Sequence, residues 1–387
     1  MNSDILQHSQ SIEIKKRIHS IDIMRGLVIL IMILDHVRER FFLHHQVSDP
    51  MDLTTTDPAL FWSRFAAHLC APTFIFLTGL SAYLYSQPRQ GKPRDASAFL
   101  FKRGIFLIVL EITLICFSWL GTLSTLYLQV IWAIGLSMIA LAVLIKLPKY
   151  LLLMIGLAIV FGHNLLTQIH FNPEEIGYSL WTILHDRGYL ITNSVVNVKV
   201  SYPVLPWIGV IILGYLAGPL YQQTAALRQK NLLKLALFCL STFAVLRGFN
   251  LYGETLDWQI QAHCYQTLMD IFNLTKYPPS LNFLLITGSM MFAGLYLFER
   301  FPANWHRFIQ TFGSVPMFVY ILHLYVLLIL YMLGQLIWGN NQGIYFGVNH
   351  ISWIWLITLL LIAALYKPVA WFSQYKRKHQ YVWLKYL

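Results

Sequence analysis

The residues that could do chemistry gather first on one apolar segment, SIDIMRGLVILIMILDHVRERFF, residues 20–42. Asp22 and Arg25 stand near one end, Asp35 and His36 near the other. At 100° per residue, Asp22, Arg25 and His36 fall within about 60° of one another, and helical rise puts Asp22 and His36 about 20 Å apart. Ionisable side chains inside an apolar helix are expensive, so they face a protein interior or a wet cavity. A carboxylate beside an imidazole can orient it and raise its basicity, the minimum for general base catalysis. The plainer alternatives are an i,i+3 ion pair for Asp22 and Arg25 and a helix-end cap for Asp35 and His36.

Further candidates follow along the chain. His44 and His45 lie in the loop after that segment; together with His36 they have no metal-ligand spacing, so no metal is expected. Arg64 and His68 are four apart and share one helix face in WSRFAAHLCAPTF, where Pro72 should bend the helix. Glu111 sits in an apolar run with no near partner. Arg247 and Asn250 lie in LRGFNLYGE, Lys276 in NLTKYPPSLNF and His323 in YILHLY. With Arg64 and His68 these are the expected substrate-binding residues, set against interfacial anchoring for Arg64, Arg247, Asn250 and Lys276 and a structural hydrogen bond to a neighbouring helix for His323. Cys70, Cys116, Cys239 and Cys264 show no zinc or disulfide spacing. There is no G-x-S-x-G, Walker, H-E-x-x-H or Rossmann glycine pattern, which leaves serine hydrolase, ATPase, zincin and dehydrogenase readings without support.

What must position these residues is a membrane bundle. Of 387 residues, 57% are hydrophobic and 12% charged, and the mean hydropathy is +0.57. A soluble domain carries about 25% charged residues, so a cytosolic enzyme, a disordered tail and a coiled coil are excluded. Apolar runs predict an all-α integral membrane protein of ten spanning helices, near 21–43, 62–85, 101–120, 123–146, 150–168, 203–221, 232–251, 279–298, 313–335 and 351–372. The net charge of +11 then reflects topology rather than nucleic acid binding, because most Lys and Arg fall on one side. That side holds Lys15, Lys16, Arg17, Arg25, Arg89, Lys92, Lys102, Arg103, Lys376, Arg377 and Lys378, and the bias puts both termini in the cytoplasm. The expected organisation is a tail over 1–20, a membrane domain over 21–372 and a basic tail over 373–387.

The long loops 44–61, 169–202 and 252–278 face outward, and 174–191 reads as an amphipathic interfacial segment. No cleavable signal peptide is evident; Asn273-Leu274-Thr275 is a glycosylation sequon. The absence of an internal repeat speaks against a transporter.

SIDIMRGLVILIMILDHVR and RFAAHLCAPTFIFLTGLSAYL resemble the start of the heparan-alpha-glucosaminide N-acetyltransferase-like membrane family, in its bacterial branch. YPVLPWIGVIILGYLAG, LRGFNLYG, LTKYPPSLNFLL, GSVPMFVYILHLY and KRKHQYVWLKYL extend the resemblance over nearly the whole chain. It implies a many-helix enzyme of the bacterial inner (plasma) membrane, among membrane lipid, that moves an acetyl group from cytosolic acetyl-CoA to an extracytoplasmic sugar or glycan. In the lysosomal member, catalysis is assigned to a histidine in the loop after the first helix and a polar residue at that helix's outer end. Asp35 stands where that enzyme has asparagine, and the family histidine corresponds to His44 or His45, or its role passes to His36. Arg25, Lys102 and Arg103, beside Asp22, could then hold the phosphates. Asn250 or Lys276 could stabilise an oxyanion, with direct transfer or an acetyl-histidine as the route. The competing reading is a non-enzymatic carrier or flippase, with His36 and His323 as proton relays. A homodimer is left open.

Overall fold

The computed structural model describes residues 19–88, 94–379 and 381–386. Of the expected tail over 1–20, residues 1–18, with Lys15, Lys16 and Arg17, lie outside the described residues, as do Arg89 and Lys92. The first apolar segment is α1, His19–Phe41. It is the hub of the bundle, touching all of the helices α2, α3, α12, α13, α14 and α15 defined below.

Local chemistry sets the next boundaries. Asp57 caps α2, Pro58–His68, by accepting from Ala59 N at 2.8 Å, with Pro58 at its first turn. Pro72 cannot donate to the His68 carbonyl four residues back. The helix breaks at Leu69 and resumes as α3, Cys70–Ser86. Asp95 caps α4, Ala96–Leu110, which continues through a π-turn, Glu111–Ile115, into α5, Cys116–Leu120. The π-turn aims the Glu111 carboxylate at the start of α6, Val130–Leu144, where it accepts from Trp132 N at 3.0 Å. That is the partner the sequence did not reveal.

The chain goes on through α7, Lys149–Gly162, and a short α8, Tyr178–Leu184, to α9, Leu205–Leu216, α10, Ala225–Gly248, and α11, Cys264–Ile271. It closes with α12, Leu281–Arg300, α13, His306–Gly313, α14, Pro316–Trp338, and α15, Ile351–Lys378.

Three elements differ from expectation. The expected helix from 123 begins only at Val130, because β1, Thr125–Leu128, takes its first part. β1 pairs in parallel with β3, Asn197–Val200, and β2, Gly188–Ile191, pairs antiparallel with β3. The segment 174–191, expected as one short amphipathic stretch, is α8 followed by β2. α15 runs past residue 372 to Lys378, so the start of the expected basic tail is helix.

Each of the ten expected spans overlaps helix. Among the described residues seven are long and apolar enough to cross a membrane: 58–86, 149–166, 205–222, 225–248, 281–300, 316–338 and 351–378. Of the others, α1 carries Asp22, Arg25, Asp35, Arg38, Glu39 and Arg40, and the α4–α5 run is interrupted by its π-turn. α6 has 15 residues, about 22 Å of helix against a hydrocarbon core of about 30 Å. α7, α10 and α15 present apolar side chains outward, among them Met154, Leu237, Phe238, Leu359 and Leu360, a face suited to lipid.

Glycines let the walls close. A Cβ on Gly79 would meet the Ile211 carbonyl oxygen at 2.0 Å, and one on Gly214 the Phe76 oxygen at 2.1 Å, so α3 and α9 touch backbone to backbone. Gly26 and Gly313 do the same between α1 and α13.

Candidate functional site

One cavity of about 650 Å³ follows α1, within the span of roughly 300–1,000 Å³ usual for small-molecule sites. At one end its wall holds Asp22, Arg25, Arg103, Lys376 and Arg377; at the other, Asp35, His36, Tyr202, Lys276 and Tyr320. The stretch between is apolar, with Met32, Phe74, Leu107, Ile134 and Met138. The polar groups that the sequence placed on one face of α1 thus share one space.

At the basic end, Arg25 donates to the Leu77 carbonyl at 3.3 Å and to the Ser81 hydroxyl, and it lies 3.7 Å from Asp22. Tyr85 and Phe99, both in the wall, stack at 4.2 Å between ring centres. The Arg94 guanidinium lies over Tyr85 at 4.5 Å and that of Arg103 over Phe99 at 5.9 Å. Lys102, expected here, does not line the cavity and is exposed. Lys376 and Arg377 take the place beside Arg103; sequence reading assigned them to a tail.

At the opposite end, His36 Nδ1 lies 2.7 Å from His323 Nε2, and His323 Nδ1 lies 2.7 Å from the Val319 carbonyl oxygen. A carbonyl only accepts, so His323 carries its proton on Nδ1 and offers a lone pair on Nε2. His36 must then donate from Nδ1, which leaves its Nε2 as the basic nitrogen. His323 is fully buried, whereas His36 is partly open. The partner that orients His36 is thus His323, not the adjacent Asp35. Asp35 Oδ1 accepts instead from Arg38 Nε at 3.0 Å and Nη2 at 2.9 Å. Trp119 and Tyr320 set their rings edge-on to His36, with centres 5.2 and 5.8 Å away.

Lys276 reaches this end from the loop between α11 and α12. Asp49 holds that loop: its carboxylate accepts from Lys276 N at 3.1 Å and from Tyr277 N at 2.9 Å, and lies 3.7 Å from Arg64. Burial pushes the Asp49 carboxyl above its ordinary value, against the pull of Arg64 and the two backbone N–H groups. Tyr277 donates to the Tyr202 hydroxyl at 3.0 Å, beneath the guanidinium of Arg187 at 4.5 Å.

The remaining candidates lie outside this wall. Arg64 holds Asp49. His68 is buried between Phe65 and Phe283, with no hydrogen-bond partner for either ring nitrogen among the described residues; Ala67 and Cys70 beside it do line the cavity. His44 and His45 lie against each other and Phe42. Burial, then His45, pushes the His44 imidazole below its ordinary value.

Arg247 is buried and donates to four carbonyls: Leu256 at 2.6 Å, Asp270 at 2.9 Å, Ile271 at 3.1 Å and Asn273 at 3.4 Å. Asn250 bonds the Trp258 backbone on both sides. Together they fasten the loop that leads to Lys276. The sequon asparagine, Asn273, is buried with its amide bonded to Met51 N and O, so it is internal rather than a surface acceptor.

Sequence reasoning missed Tyr320, Tyr202, Tyr85, Phe99, Lys376 and Arg377. Tyr320 had one available signal, its place three residues before His323 on the same helix face.

The family model for heparan-alpha-glucosaminide N-acetyltransferase, catalytic, matches residues 17–248, which takes in α1 and runs to the end of α10. Asp22, Arg25, Asp35 and His36 lie inside that match, and Lys276 and His323 beyond it. No curated protein matches the chain. The match covers more than half of the sequence and adds an acetyltransferase-type activity to the helical membrane fold: the chain belongs to the heparan-alpha-glucosaminide N-acetyltransferase family.

Proposed function

We propose that this protein moves an acetyl group from cytosolic acetyl-CoA to an amine or hydroxyl of a sugar or glycan on the far side of the membrane. One observation carries the reading: a single cavity has cations at one end of α1 and an oriented imidazole about 20 Å away at the other. Arg25, Arg103, Lys376 and Arg377 would hold the phosphates. Tyr85 and Phe99 stack on each other and seat the Arg94 and Arg103 guanidiniums, which keeps that positive charge at the phosphate end. The apolar middle of the cavity suits the pantetheine arm.

At the far end His36 Nε2 takes the proton of the acceptor as its nitrogen or oxygen attacks the thioester carbonyl. The new C–N or C–O bond forms, the C–S bond breaks, and His36 returns the proton to the departing thiolate. His323 keeps Nε2 of His36 unprotonated in the resting state. Asp35 and Lys276 face the incoming acceptor. The loop histidines His44 and His45 lie off the cavity, which favours His36 as the base.

The test is binding and slow hydrolysis of labelled acetyl-CoA by the detergent-purified protein. Wild type binds and turns over. Arg25→Ala loses binding, and His36→Ala binds without turnover. A wild-type protein that does not bind acetyl-CoA would overturn the reading and favour the carrier alternative.

A further inference from the structure

We infer that Tyr320 is a catalytic hydrogen-bond donor to the oxygen of the acyl carbonyl during transfer. The inference rests on the acetyl-transfer reading above. Tyr320 sits on α14 one turn before His323 and lines the cavity. Its ring is edge-on to His36 at 5.8 Å and to His323 at 5.6 Å.

The hydroxyl is what asks for an explanation. Tyr320 is 4% exposed and its oxygen has no hydrogen-bond partner among the described residues. Burying a hydroxyl unpaired costs free energy that a phenylalanine in the same place avoids. Other hydroxyls of the cavity wall are engaged. Thr78 donates to the Phe74 carbonyl, Ser81 to the Leu77 carbonyl, Ser314 pairs with Ser373, and Tyr202 accepts from Tyr277. Ring packing against the two histidines accounts for an aromatic residue here. It does not account for the oxygen.

Acyl transfer supplies a use. Attack on the thioester converts its C=O into a tetrahedral C–O⁻, and a fixed neutral donor beside the base stabilises that charge as it forms. The phenol keeps its own proton throughout. His36 Nε2 takes the acceptor's proton, and the oxyanion reforms C=O as the C–S bond breaks. Lys276 contributes positive charge to the same end; Tyr320 contributes direction.

The test is Tyr320→Phe, which keeps the ring and removes the oxygen. Hydrolysis of acetyl-CoA to CoA thiol serves as the readout, because water attack passes through the same oxyanion. The expected result is a fall in kcat of about 10²–10³-fold, the range seen when one oxyanion donor is removed. KM for acetyl-CoA stays within about twofold, since the donor acts on the transition state. The melting temperature holds or rises, because an unpaired buried hydroxyl is gone. A trifluoromethyl ketone analogue of acetyl-CoA, which binds as a tetrahedral adduct, weakens in the variant while acetyl-CoA itself does not.

A kcat within about threefold of wild type in a folded Tyr320→Phe protein would overturn the assignment. So would equal weakening of analogue and acetyl-CoA. Failure of the parent reading looks different: the wild type itself would not hydrolyse acetyl-CoA, and both would fall together.

Discussion

His36 and His323, 287 positions apart in the chain, meet through a 2.7 Å contact between Nδ1 and Nε2. The Val319 carbonyl fixes the proton on the second ring and thereby the tautomer of the first. His323→Phe should therefore leave acetyl-CoA binding intact and lower kcat by about 10²–10⁴-fold, the usual range for general base catalysis. His323→Gln can still accept the His36 Nδ1 proton through its amide oxygen, so it should keep more activity than the Phe variant. Steady-state kinetics on both variants checks this. Equal activity in Phe and Gln variants would show that the ring contact only packs.

The basic end predicts a split between two neighbours in sequence. Arg103 lines the cavity and Lys102 is exposed outside it. Arg103→Ala should weaken acetyl-CoA binding by about tenfold or more, the effect of losing a charge-assisted hydrogen bond of about 1.5–3 kcal/mol. Lys102→Ala should leave it unchanged. Titration at two salt concentrations adds a second reading, because the wild-type affinity should fall as ionic strength rises. Loss of binding in the Lys102 variant instead would move the phosphate site off this end of the cavity.

How much of this was legible in sequence depended on the kind of signal. The spans were readable because an apolar run long enough for a bilayer is local information. The sheet was not: β1 and β3 are four residues each, and Thr125 pairs with Asn197 far along the chain, beyond two intervening helices and more. Asp22, Arg25, Asp35 and His36 stood out because charge inside an apolar helix is rare. Arg247 gave the same signal, yet its guanidinium is taken up by four loop carbonyls. That difference rests on where a distant loop folds. Tyr202 carried no signal and Tyr320 only its spacing from His323, since tyrosines are common in membrane helices and their ends. Lys376 and Arg377 were hidden because the apolar run of α15 stops before the helix does.

Asp49 holds Lys276 in place by accepting two backbone N–H groups and facing Arg64. Asp49→Ala leaves those donors and a buried guanidinium without an acceptor, which should cost about 1–3 kcal/mol of stability. It should also lower kcat while acetyl-CoA, held at the other end of the cavity, still binds. Thermal unfolding, limited proteolysis of the 272–280 loop and acetyl-CoA titration check the three parts. Unchanged turnover with a loosened loop would remove Lys276 from the reaction.

The glycine contacts give a test of the scaffold that does not involve chemistry. At Gly214 a methyl group would sit 2.1 Å from the Phe76 carbonyl oxygen and 2.9 Å from its carbon, so α3 and α9 must separate to admit it. The obstruction is backbone, which cannot rotate away as a side chain could. Gly214→Ala should thus destabilise the protein by about 1–3 kcal/mol, as overpacking does. Because α3 carries Phe74, Thr78 and Ser81 into the cavity wall, acetyl-CoA binding should weaken as well. Gly248, at the end of α10, is the matched control: a Cβ there has nothing within 4 Å among the described residues. Gly248→Ala should be neutral or gain up to about 1 kcal/mol from helix propensity. Thermal unfolding of the two variants side by side decides the matter, since equal melting temperatures would mean that α3 and α9 do not meet through their backbones.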